Sequence, residues 1–143
     1  MPQNDYCEII NLVSSYPATL DANDVAGMAG LFLPDGILQL YGSGETTPSI
    51  DCRSTKERID VFTSARQAMA DRKIQSRHNF TNHIVTFKNG RKEADVTMYV
   101  LLAWYPKGMN APHIVITGHA AAEAVKTKEG WKFASLIAWA DNP

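Results

Sequence analysis

The sequence has no long apolar run. Nothing in its 143 residues approaches the roughly 18 or more apolar positions of a membrane-spanning helix. The opening Met1-Pro2-Gln3-Asn4-Asp5 has no basic stretch leading into an apolar one, so a soluble, cytoplasmic protein is expected. Cysteine is scarce. Cys7 and Cys52 have neither disulfide-framework nor metal-ligand spacing and are read as two reduced thiols. Neither sign of charge dominates: 14 Lys and Arg against 15 Asp and Glu leave a net charge of -1, with no basic footprint for nucleic acid. There is no Gly-x-Gly-x-x-Gly, no phosphate loop and no Gly-x-Ser-x-Gly, hence no sign of a nucleotide cofactor or a serine nucleophile. The histidines lack metal spacing as well. His78 and His83 are five apart and point to opposite faces of a strand, while His113 and His119 share a face about 20 Å apart at ~3.3 Å per residue. No metal and no cofactor is expected.

What is present fits one domain, residues 1–143, with 45% hydrophobic and 20% charged residues. Apolar positions at Ile9, Ile10, Val13, Tyr16 and Leu20 predict a helix over about 4–21, with a kink near Pro17. Asp24 is placed to cap a second, short helix through Met28 and Leu31-Phe32. Leu33-Pro34-Asp35-Gly36 reads as a turn before a strand at 37–41, and 42–53 as a loop long enough to be functional or mobile. Ser54-Thr55-Lys56-Glu57 is a capping box opening a third helix to about Ala70. Four β-like stretches follow, at 76–88, 91–105, 113–127 and 131–139. Helices first and a long antiparallel sheet afterwards indicate an α+β domain with the helices on one side of a curved sheet.

Chemistry concentrates around Arg77-His78-Asn79-Phe80-Thr81-Asn82. His78 exchanges a proton readily near neutral pH, and Asn82 shares its face by the period of two. Asn89-Gly90 reads as a two-residue hairpin loop. Pairing Lys88 with Arg91 would set Asn82 opposite Thr97, Phe80 opposite Tyr99 and His78 opposite Leu101, whereas a bulge would send the second strand's side chains to the other face. Each residue also has a plainer reading. His78 could be bonded to backbone, Asn82 could tie down a neighbouring strand, and Tyr16 and Tyr99 could be core aromatics rather than pocket residues.

The ordered set Thr19-Leu20-Asp21-Ala22-Asn23-Asp24, Leu31-Phe32, Asp35-Gly36, Arg77-His78, Thr81-Asn82, Gly118 and Gly130-Trp131-Lys132-Phe133-Ala134 resembles the SnoaL-like and scytalone-dehydratase-like branch of the nuclear-transport-factor-two-like superfamily. The resemblance implies a cone-shaped barrel: a strongly curved, mostly antiparallel sheet wrapped around a pocket, with three N-terminal-side helices and a homodimer as the usual assembly. It also implies that His78 stands at the catalytic histidine and that Asp21 faces inward to bond it; a helix-end aspartate in water is the alternative. It puts His119 on a strand whose polar residues touch substrate, with Ala120, Ala121 and Ala122 implying a roomier, less polar pocket. Leu20 stands where such dehydratases can carry a catalytic tyrosine, which argues against the same substrate.

The expected activity is that of a cofactor-independent lyase or isomerase on a hydrophobic polyketide- or terpenoid-like small molecule. His78 and Asp21 would be its catalytic pair, and Tyr16, Asn82, Tyr99 and His119 would hold substrate. The rivals are a non-catalytic small-molecule binding protein and an epoxide hydrolase, which would need an inward Asp-Arg-Asp set that Arg77 does not supply.

Overall fold

The computed structural model describes residues 2–143, with side chains from Asn4 onward. Helix α1 spans Pro2–Asp21 and α2 Val25–Ala29, followed by β1 at Phe32–Tyr41, β2 at Ile50–Cys52 and α3 at Thr55–Asp71. Strands β3 (Ile74–Lys88), β4 (Glu93–Pro106), β5 (His113–Thr127) and β6 (Gly130–Ala140) complete the chain. The single curved sheet has the order β2-β1-β6-β5-β4-β3. Its neighbours are antiparallel except β1 and β6. The architecture is therefore the expected α+β cone, although the sheet curves without closing, since its edge strands β2 and β3 do not pair.

α1 presents Ile9, Leu12, Val13, Tyr16 and Leu20 to the sheet, all buried and spaced at helical intervals. They pack on Ala94, Val96, Met98, Ala120, Ala122, Phe133 and Leu136 from the concave face. Removing such side chains from water stabilises by roughly 1.5–3 kcal/mol for each fully buried Leu, Ile or Phe. The helix runs unbroken through Pro17. The hydroxyl of Thr19 donates back to the carbonyls of Ser15 (2.8 Å) and Tyr16 (3.0 Å), within the turn around the proline.

One expected turn and one expected loop are built differently. Residues 33–36 are part of β1, and the register against β6 shifts between Phe32 and Ile37. The fully buried Arg58 of α3 holds this irregularity, with Nη1 donating to the Gly36 carbonyl (2.5 Å) and Nη2 to that of Leu33 (2.9 Å). A side chain at Gly36 would come within 2.9 Å of the Phe133 carbonyl, so only glycine fits. The 42–53 segment is less loose than expected. Its end forms β2 against β1, and the Ser43 hydroxyl donates to the Asp141 carbonyl at 2.8 Å.

The β3–β4 register corrects the two-residue hairpin. Lys88 pairs with Glu93 across a short 3-10 turn at Asn89–Arg91, and a bulge lies between Thr81 and Ile84, where Asn82 takes φ 57°. The bulge changes the phase of β3: Ser76, His78 and Phe80 face inward before it, Val85 and Phe87 after it. The partners of Phe80 and His78 are Val100 and Leu102, not Tyr99 and Leu101.

Candidate active site

A cavity of about 310 Å³ opens between α1, α3 and the concave sheet, lined almost wholly by apolar side chains that include Leu20, Leu40, Phe62, Phe80, Val100 and Leu102. His78 enters this lining from β3, and Asp21 stands behind it at the end of α1. His78 Nδ1 and Asp21 Oδ1 are 2.7 Å apart, and the His78 backbone N–H donates to Asp21 Oδ2 at 2.8 Å. The fully buried Ser76 donates its hydroxyl to Asp21 Oδ1, also at 2.8 Å.

Burial opposes charge on Asp21, but donation from the His78 ring, the His78 backbone and Ser76 outweighs it and holds the carboxyl below its usual range. An ionised Asp21 can only accept. The proton shared with His78 therefore belongs on Nδ1, which leaves Nε2 as the nitrogen free to exchange a proton with a bound molecule.

Tyr16 also lines the cavity, stacked on Phe80 at 5.6 Å and edge-on to Phe32 at 6.2 Å. Burial, with a smaller contribution from the Cys52 thiol, pushes its phenol well above the ordinary value. It therefore stays protonated. Among the described residues its hydroxyl has no hydrogen-bond partner, so it is a donor without an acceptor at the cavity wall. Gly42, Ser49 and Ile50 complete the lining, while Tyr41 and Trp139, in register with each other and with His119, stack at 6.0 Å at the strand ends with their rings on the side of His119.

The structure thus brings His78, Asp21 and Tyr16 together and leaves three predicted site residues elsewhere. Asn82 sits in the bulge, exposed, and Tyr99 is 61% exposed on the outer face of β4. His119 pairs with Tyr99 on that same face and stacks on Trp139 at 5.1 Å. The reason is the phase of the strands. On β4 and β5 the even-numbered residues point inward, so the odd-numbered Tyr99 and His119 point out. The alanines are corrected likewise: Ala120 and Ala122 lie in the core and Ala121 lies outside, none lining the cavity.

Arg77 is exposed, and the cavity lining holds no carboxylate among the described residues, so no Asp-Arg-Asp set faces the cavity. Nor, among the described residues, do three His, Cys, Asp or Glu side chains stand together as metal ligands. Residues missed from the sequence are Ser76 and Arg66. Arg66 Nη1 donates to Ser76 Oγ and Nε to Asn23 Oδ1, both at 2.8 Å. The alternation of Ser76 with His78 was a legible signal for the serine; nothing in the helical pattern singled out the arginine.

A helix-lined cone with a histidine–aspartate pair at the wall of an apolar cavity is the architecture of an α+β protein of the nuclear-transport-factor-two-like class. The model of the SnoaL-like domain matches residues 3–137, and the chain belongs to that family, whose members include polyketide cyclases and scytalone dehydratase-like proteins. Among solved structures, ActVI-ORFA from Streptomyces coelicolor is similar at 22% identity and a TM-score of 0.80, over 95% of this chain and 96% of that one. A scytalone dehydratase-like protein from Novosphingobium aromaticivorans aligns at 18% identity and a TM-score of 0.79, over 98% and 86%. The beta subunit of an aromatic-ring-hydroxylating dioxygenase from the same organism aligns at 14% identity and 0.78, over 99% and 92%. No curated protein gives a significant match.

Proposed function

We propose that the protein is a cofactor-independent lyase or isomerase that moves a proton on a hydrophobic, oxygen-bearing small molecule of the polyketide or terpenoid type. The observation that carries this reading is the His78–Asp21 pair at the wall of an otherwise apolar cavity. His78 Nε2 takes a proton from a carbon next to a carbonyl, or returns one to a departing hydroxyl. Asp21 acts through His78, holding Nδ1–H and balancing the imidazolium that forms. Tyr16 donates its phenolic proton to the substrate oxygen as negative charge gathers there. A single placed acid–base group is typically worth about 10²–10⁴ in rate, enough for dehydration, double-bond migration or ring closure of an activated substrate. The apolar walls supply orientation.

Turnover of a panel of aromatic and terpenoid ketones by wild type, His78→Gln and Asp21→Asn tests this, with binding followed by isothermal titration calorimetry. The expected result is unchanged binding, with turnover lowered at least about 10²-fold in His78→Gln. Binding without turnover even in the wild type would make the protein a small-molecule carrier.

The assembly is proposed to be a homodimer through the outer sheet face, supported by Ile84 and Tyr99, 66% and 61% exposed beside His119. The free thiols of Cys7 and Cys52 fit a reducing cytoplasmic setting; no helix among the described residues is long and apolar enough to cross a membrane.

A further inference from the structure

Arg66 is 9% exposed, and a guanidinium taken out of water is costly unless its charge is answered. Its two hydrogen-bond partners are neutral, the Ser76 hydroxyl and the Asn23 side-chain carbonyl. The charge that answers it is Asp21, one hydroxyl further on. We propose that Arg66 is a positioning residue of the acid–base pair, acting on the Asp21 carboxylate from two sides.

On one side it sets the direction of a proton. Ser76 has a single O–H, and with Arg66 Nη1 donating to its oxygen, that proton is turned toward Asp21 Oδ1. Without Arg66 the hydroxyl is free to rotate to another acceptor. On the other side it holds the chain. Asn23 follows the end of α1 at φ 60°, a conformation that asparagine tolerates but does not require, and Arg66 Nε ties its side chain to α3. The helix end that carries Asp21 is thus fixed against β3. The carboxylate then keeps its two hydrogen bonds from His78, so the ring presents Nε2 and not Nδ1 to the cavity.

This rests on the reading of His78 as the proton-transfer group, and its test begins without substrate. Nitrogen-15 spectra of histidine-labelled free protein report the His78 tautomer, and proton spectra report its Nδ1–H. The wild type is expected to show one tautomer with a slowly exchanging, strongly deshielded Nδ1–H. Ser76→Ala, which removes the link and leaves no large cavity, is expected to mix the tautomers and broaden that resonance, as is Arg66→Met. With substrate, kcat is expected to fall at least about tenfold while KM stays within about twofold, the size of loss seen when the outer partner of a metal-bound histidine is removed. Folded Ser76→Ala and Asn23→Gly proteins that both keep the single tautomer and the sharp resonance overturn the proposal, whether or not Arg66→Met folds. If His78→Gln still turns over substrate, the reading of the site fails, while the ring signals continue to report on Arg66 and Ser76 by themselves.

Discussion

Asp21 keeps its charge in a partly buried place because three donors converge on it, and this ties folding stability to pH. Its folded value lies below that of the unfolded carboxyl, so the unfolded chain binds the proton more tightly. The stabilisation is complete above about pH 4 and is lost as pH falls through the folded value. Melting temperatures measured between pH 6 and 2.5 are expected to fall steeply below about pH 4 in the wild type. In Asp21→Asn the acid limb should be flatter, starting from a neutral-pH stability lower by about 1–3 kcal/mol. An Asp21→Asn curve parallel to that of the wild type would show that the carboxylate is not the linked group. Tyr16 gives a cleaner separation of roles. Tyr16→Phe keeps both ring contacts and removes only the unpartnered hydroxyl, so melting should move by no more than a few degrees while turnover drops about a hundredfold. Unchanged turnover would make Tyr16 a core aromatic alone.

β3 shows how one residue in a strand decides which groups meet. The bulge at Asn82 lets His78 and Phe80 share the concave side with Val85 and Phe87, although their positions differ in parity. Asparagine accepts the positive φ there, and a β-branched residue does not. Asn82→Val is therefore expected to destabilise by about 1–2 kcal/mol in urea unfolding, and Asn82→Gly to be near neutral. Equal effects would mean that the side chain, not the backbone, matters there. The phase change was only half visible in the sequence, since the even positions Phe80 and Ile84 and the odd positions Val85 and Phe87 are all apolar. A strict period of two across 76–88 concealed it, and with it the outward direction of Tyr99, whereas His119 was placed by the family resemblance alone. The irregular start of β1 was hidden for another reason. Pro34-Asp35-Gly36 marks a turn, but only the long-range bonds of Arg58 hold those carbonyls within the strand.

At the scale of the whole molecule, the two sides of the curved sheet present different surfaces. The concave side encloses the cavity under the helices, and the convex side carries the exposed Ile84 and Tyr99. If the convex side joins two copies, sedimentation of the wild type should give about twice the mass of one 15.8 kDa chain, and Tyr99→Lys should shift it toward one chain with the cavity intact. A wild-type monomer at micromolar concentration would remove the dimer.

The sequence by itself determined the three helices and the order of the long strands, though not β2 or the irregular start of β1, because helical spacing, the Ser54 capping box and strand alternation are local properties of the chain. It also brought out His78 and, through the family pattern, Asp21, whose chemistry is carried by residue type. Only the tertiary structure decided which neighbours they have. The register of β3 on β4, the reach of Arg58 and Arg66 from α3, and the meeting of Ser76 with Asp21 depend on contacts between residues far apart in the chain. Those contacts form only when the sheet has curved around the cavity, and no local period records them.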